Sequence, residues 1–200
     1  MNMIKLAKAF AVASLPVLAA CTPSTVPQDN GDRYRRLTPN EISMAQTIFG
    51  NQIDYASVRL YRQAPQGTRS RVTFGNIYMS QTRYSNDYGL ESNMLKQSVF
   101  MHEMAHVWQE QSGQDLIGRA IHSFFKHGGD YDLSYDYTWY DVPRFSSRSI
   151  EQQASILQDY FELATRARRD NDDVRCDDIL RYEATLKHFF PAIETPRVCR

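Results

Sequence analysis

The apolar positions recur at helical spacing near both ends of the chain and alternate in short runs between them. Thr38-Pro39-Asn40-Glu41 has the form of a capping box with proline at the first helical position. Ile42, Ala45, Ile48 and Phe49 follow as one stripe, and Gly50 supplies a stop. Ile53 to Arg62, with alternation around Val58 and Leu60, predicts a strand. Arg71–Phe74 and Ile77–Ser80 flank Gly75-Asn76, a two-residue hairpin signal. A helix is predicted over Leu95–Gln111, with Leu95, Val99, Ala105 and Val107/Trp108 toward the core and Gly113 ending it. Leu116–Lys126 reads as a further helix, and Gly128–Pro143 as a loop rich in tyrosine (Tyr131, Tyr135, Tyr137, Tyr140). Ser149 can cap a helix over Ile150–Arg168 that aligns Ile150, Ala154, Leu157 and Phe161, and Ile179–Phe190 forms the last helix. A helix, a small antiparallel sheet and then mostly helices make the α+β class the expected one.

A chain of 200 residues with 42% hydrophobic and 12% aromatic content suits one globular domain with short appendages. The formal net charge is zero and no basic run is present, so there is no electrostatic case for a nucleic-acid partner. The N-terminus stands apart. Lys5 and Lys8 precede a short apolar run, and Leu18-Ala19-Ala20-Cys21 resembles the lipobox of bacterial lipoproteins. Residues 1–20 are therefore expected to be a signal peptide, with Cys21 lipidated; the apolar run is too short to span a bilayer comfortably. In the lipoproteins this string resembles, a residue such as Thr22 rather than aspartate after the cysteine implies sorting to the outer membrane, and the domain is expected to face the periplasm. Residues 21–36, rich in Pro, Ser, Thr, Asn and Gly, read as a tether, and 37–200 as the domain. Loss of Lys5 and Lys8 leaves 21 basic and 23 acidic residues. Cys176 and Cys199 then remain as an even pair in an oxidising compartment, and a disulfide between them is expected.

The chemistry concentrates in His102-Glu103-Met104-Ala105-His106, an H-E-x-x-H string on the predicted helix. Residues i and i+4 share a helix face, so both imidazoles can address one metal ion. Glu103 is placed to take a proton from a water on that metal. Zinc suits imidazole ligands and brings such a water to a pKa of about 7. Catalytic zinc usually has three protein ligands. An extension to H-E-x-x-H-x-x-G-x-x-H would need glycine at 109 and histidine at 112, where this chain has Gln109 and Ser112. A glutamate from a later helix is the other solution. Glu151, in the first turn of the Ile150 helix and followed by the small Ala154, is the best placed, with Asp130, Asp132, Asp159 and Glu162 as alternatives. His122, His127 and His188 flank phenylalanines and read as packing or surface histidines. A tyrosine of the 131–140 loop is the candidate donor for a developing oxyanion, with Tyr137 the choice.

Several strings together resemble one family. Leu37-Thr38-Pro39-x-Glu41-Ile42, Ile53-Asp54-Tyr55, Asn76-Ile77-Tyr78, His102 to Gln109 and Ile150-Glu151-Gln152-Gln153-Ala154 are similar to Vgr-related proteins, the zincin-type metallopeptidase domain fused to some type VI secretion spike proteins. The resemblance covers about residues 37–165. It implies a minimal gluzincin-like fold, with His102, His106 and Glu151 as zinc ligands and Glu103 as general base. It also implies a secretion-apparatus partner. The leading expectation is a zinc-dependent peptidase of the cell envelope acting on a peptide or protein substrate, either an envelope protein or a peptidoglycan peptide. Unlike the spike proteins, this chain carries its own lipoprotein signal, which favours an envelope resident over a delivered toxin. The rival expectation is a non-catalytic envelope lipoprotein whose zinc is structural or vestigial.

Overall fold

Glu41 shows how the sequence builds the first part of the domain. In the computed structural model, which describes residues 34–62, 69–115, 135–138, 141–170 and 175–200, helix α1 spans Pro39–Phe49. Thr38 Oγ1 accepts from Glu41 N at 3.1 Å, and Glu41 Oε2 accepts from Thr38 N at 2.8 Å, so the capping box is present in full. The same carboxylate accepts from both terminal nitrogens of Arg35, at 2.6 and 2.8 Å, and from Tyr88 N at 3.0 Å. A fully buried carboxylate is tolerable because every lone pair has a donor. Arg35 lies on strand β1, Tyr34–Arg36, so one ion pair joins this strand, the start of α1 and the single helical turn at Tyr88–Leu90.

The remaining strands are β2 (Arg59–Arg62), β3 (Arg71–Thr73) and β4 (Asn76–Met79). The strand expected over Ile53–Arg62 is confined to its last four residues, because residues 51–57 form turns. The hairpin is present, but its turn residues are Phe74 and Gly75, with φ of 50° and 69°, and Thr73 pairs with Asn76. Two consecutive positive φ angles match the twist of the flanking strands. The sheet is mixed, in order β1-β2-β4-β3: β2 and β4 run parallel, whereas β1–β2 and β3–β4 are antiparallel. The expected small antiparallel sheet is corrected in that one pairing, because β4 inserts between β2 and its own hairpin partner. Leu60, Ile77 and Met79 point inward and are fully buried.

Helix α2, Met94–Gln111, starts at Asn93, whose side chain accepts from Leu95 N at 3.0 Å, and the chain leaves it through Gly113 at φ 80°. It is the central helix. Phe100, Met101, Met104, Ala105, Val107 and Trp108 are buried on several sides at once. Leu95, expected in the core, is 49% exposed, because the helix N-terminus projects beyond the packed layer. Helix α3, Ile150–Asp170, packs along α2. Ser149 Oγ accepts from Gln152 N at 3.1 Å while Gln152 Oε1 accepts from Ser149 N at 3.2 Å, a second capping box. Ile150, Ala154, Leu157 and Phe161 are buried as the periodicity requires. Helix α4, Cys176–Phe189, closes the far side, and Phe190 seats against Phe49 and Trp108.

The architecture is α+β, a small four-stranded sheet followed by a mostly helical part. Among the described residues no helix is long and apolar enough to cross a membrane. Cys21, the predicted helix over 116–126, Tyr131, Tyr140, His122, His127, Asp130 and Asp132 lie outside the described residues.

Cys176 and Cys199 are joined by a disulfide that pins the C-terminal segment to the start of α4. Closing a 23-residue separation is worth about 3 kcal/mol on chain-entropy grounds. Cys176→Ser/Cys199→Ser is therefore expected to lower Tm by several degrees in a thermal melt; an unchanged Tm would show that the crosslink adds nothing to stability.

Candidate metal centre

His102 and His106 project one turn apart from the middle of α2, and Glu151 reaches them from the first turn of α3. The three side chains are buried, and their ligand-type atoms form a nearly equilateral triangle. His102 Nε2 lies 3.2 Å from Glu151 Oε2, His106 Nε2 lies 3.1 Å from the same oxygen, and the two Nε2 atoms are 3.2 Å apart. Ligands at about 2.0 Å from a tetrahedral metal sit ~3.3 Å from each other. The spacing is thus that of three vertices around one ion, and these residues can hold a metal ion.

A chain of buried amides fixes this arrangement. His106 Nδ1 donates to Gln109 Oε1 at 2.8 Å. The Gln109 amide nitrogen donates to Ile150 O at 2.9 Å and to Gln153 Oε1 at 3.0 Å, which fixes its oxygen toward the histidine. Gln153 in turn donates to Phe145 O at 3.0 Å. With Nδ1 protonated, His106 directs the lone pair of Nε2 at Glu151 and His102. Because Ile150 precedes Glu151, the same bonds set where α3 begins against α2. Replacing Gln109 by leucine removes the acceptor from His106, leaves Gln153 Oε1 without its donor and takes one donor from Ile150 O. The expected result is a 10–100-fold loss of metal affinity and a destabilisation of about 1–3 kcal/mol. A competition titration and a denaturant melt check both, and wild-type values in each would show that the amide chain is idle.

The electrostatics follow from burial and from Glu151. Burial disfavours protonation of both imidazoles and lowers His102. For His106 the attraction and hydrogen bond of Glu151 outweigh burial and raise it to about 9. Burial would raise Glu151, but the two histidines overcome it and hold the carboxyl far below the usual carboxylate range. One cation is thus already favoured between these groups. Glu103 differs. Burial, reinforced by Glu151 and opposed by His106, raises it to about 7, and its Oε2 has no hydrogen-bond partner among the described residues. A carboxyl poised near neutral pH beside a cation-binding cluster has the properties of a general base.

The cleft above the cluster is about 280 Å³, lined on one side by His102, Glu103 and Val99 and on another by Ser70 and Ser80, which flank the β3–β4 hairpin. Tyr135 stacks obliquely on His102, with ring centres 5.6 Å apart, and lines the cleft together with Gln158. Tyr137 is placed differently. Its hydroxyl donates to Asp159 Oδ2 at 2.6 Å and lies 2.6 Å from the Tyr182 hydroxyl, in an adjoining recess. Asp159 is therefore engaged by Tyr137 and stands outside the His102–His106–Glu151 cluster, and Glu162 pairs with Arg166. The roles of Gln109 and Gln153 escape the sequence reading, since both are glutamines on helices; Tyr135 lies in the tyrosine-rich loop that reading singles out, where its choice is Tyr137.

No family model matches the chain. Two comparisons find relatives. The type VI secretion system spike protein VgrG2b of Pseudomonas aeruginosa is 33% identical over 141 residues, which is 64% of this chain and 13% of the spike protein. The chain thus spans about an eighth of the length of that curated relative. The solved effector domain of Pseudomonas aeruginosa VgrG2b superposes with a TM-score of 0.53 at 28% identity, covering 84% of this chain and 87% of that domain. The chain is a homologue of the VgrG2b effector domain.

Proposed function

We propose that the protein is a zinc-dependent peptidase of the bacterial cell envelope, in which His102, His106 and Glu151 hold the metal and Glu103 is the general base. The observation that carries this reading is the triangle of His102 Nε2, His106 Nε2 and Glu151 Oε2, with sides of 3.1–3.2 Å. Two imidazoles and one carboxylate form a borderline donor set that suits zinc. Three converging ligand-type residues, the number among the described residues, match catalytic rather than four-ligand structural sites.

Zinc, when bound, polarises a carbonyl and lowers the pKa of a water. The protein's own groups do the rest. Glu103, one residue from His102 and near neutrality in pKa, takes a proton from the attacking water and passes it to the departing amine. The unpartnered Oε2 leaves that carboxylate free for the task. Gln109 holds the His106 tautomer. Tyr135, against His102 in the cleft, is a better oxyanion donor than Tyr137, whose proton is committed to Asp159. An envelope location rests on the Leu18–Cys21 string, with Cys21 lipidated and the protein anchored in the outer membrane. The homology to a spike-protein effector domain supports a secretion-apparatus partner. Cys21→Ser is expected to abolish palmitate incorporation in cells, and equal labelling of the variant would remove the anchor. The function itself is tested by hydrolysis of a mixed peptide pool by the zinc-loaded full-length chain. Cleavage that EDTA stops and zinc restores is the expected outcome; none at one zinc per chain would overturn the reading.

A further inference from the structure

The cleft beside Glu103 is lined by two guanidinium groups, Arg69 and Arg83. Arg83 is half-buried, unlike Arg144, Arg175 and Arg197, which are exposed and also show no side-chain hydrogen bond among the described residues. Arg35, Arg148, Arg166 and Arg200 each meet a carboxylate, and Arg169 meets a side-chain amide. The half-buried Arg83 enters hydrogen bonds only through its backbone: its N–H donates to Ser80 O at 3.0 Å, and its carbonyl accepts from the Tyr88 hydroxyl at 3.0 Å. The backbone is therefore held while the guanidinium is unpaired among the described residues. Ser80 adds a second unmet group. It is 2% exposed, lines the same cleft, and its hydroxyl has no partner among the described residues.

A partly desolvated, unpaired cation is unfavourable until an anion arrives, and guanidinium geometry matches a carboxylate. The only carboxylate lining this cleft among the described residues is Glu103, which the proposed chemistry occupies. Beyond Tyr135 and Gln158 the adjoining recess carries the opposite charge, through Asp136 and Asp159. The cleft is thus polar along its length, basic on the Glu103 side and acidic beyond Tyr135.

We propose that Arg83, with Arg69 lining the same cleft, binds a carboxylate of the substrate, so that the site selects peptides with an acidic side chain or a free C-terminus close to the scissile bond. This rests on the peptidase reading and deepens it: the substrate class is acidic peptides. Arg83 acts in specificity and takes no part in bond cleavage.

The test is cleavage of a mixed peptide pool, prepared with free and with amidated C-termini, by the zinc-loaded full-length wild type, Arg83→Lys and Arg83→Glu, read by mass spectrometry. Wild type is expected to show at least about a tenfold preference, the scale of one charge-assisted contact, either for Asp or Glu over Asn or Gln at one fixed position or for the free over the amidated C-terminus. Loss of cleavage on amidation would identify the carboxylate as the terminus, and persistence would identify it as a side chain; both support the anchor. Arg83→Lys should keep the preference, and Arg83→Glu should abolish it or turn it toward Lys and Arg. Cleavage with neither an acidic preference nor a loss on amidation, or a loss in Arg83→Glu that is uniform over all peptides, would overturn the anchor and leave the peptidase reading standing. No cleavage by zinc-loaded wild type would overturn both.

Discussion

Glu103→Gln is expected to lower amide hydrolysis at least about a thousandfold while leaving zinc binding intact, the upper range for loss of a positioned general base. The side chain is 4% exposed and is not one of the three converging ligand-type residues, so the amide can occupy its place without disturbing them. What disappears is the group near pH 7 that burial creates. The isosteric amide also removes a costly buried carboxylate, so Tm should hold or rise. Activity assays beside metal analysis separate the outcomes. Hydrolysis within tenfold of wild type would remove Glu103 from the chemistry, whereas loss of zinc together with activity would make it a structural residue.

Glu151→Ala is the second large effect. The carboxylate is shared by His102 and His106 at 3.2 and 3.1 Å, and it is what raises His106 to about 9. Its removal deletes one of three ligands and leaves two buried imidazoles facing each other at 3.2 Å. Zinc affinity should fall by at least about a hundredfold, beyond what outer-shell changes cost. The rise in Tm that zinc gives the wild type should shrink accordingly, because ligand stabilisation follows the logarithm of affinity. In the wild type the proton favoured at His106 must leave before metal binds, so affinity should increase as pH rises from 6 toward 9. Undiminished zinc affinity in Glu151→Ala would show that another residue completes the site.

Much of this was legible before any coordinates. Thr38–Glu41 announces its helix because capping is a local exchange of hydrogen bonds, and it forms as the spacing requires. The H-E-x-x-H string and Glu151 are legible for the same reason: each sits at a fixed place on a helix, and packing α3 along α2 brings them together. The parts that were not legible depend on distant partners. Strand β1 carries no apolar alternation, and its central Arg35 is buried only because Glu41 receives it. The parallel β2–β4 pairing is non-local, and the hairpin turn falls on Phe74, a residue whose side chain gives no sign of a positive φ. Gln109 and Gln153 look like surface positions until each is seen to satisfy the other. Arg83 is set by a turn whose anchor is the Tyr88 hydroxyl.

The central claim is that His102, His106 and Glu151 together hold one zinc ion. Elemental analysis of the purified full-length chain tests it most directly, with His102→Ala/His106→Ala measured alongside. About one zinc per wild-type chain and none in the double variant is the expected result. No zinc in the wild type after reconstitution, or equal zinc in both, would contradict it.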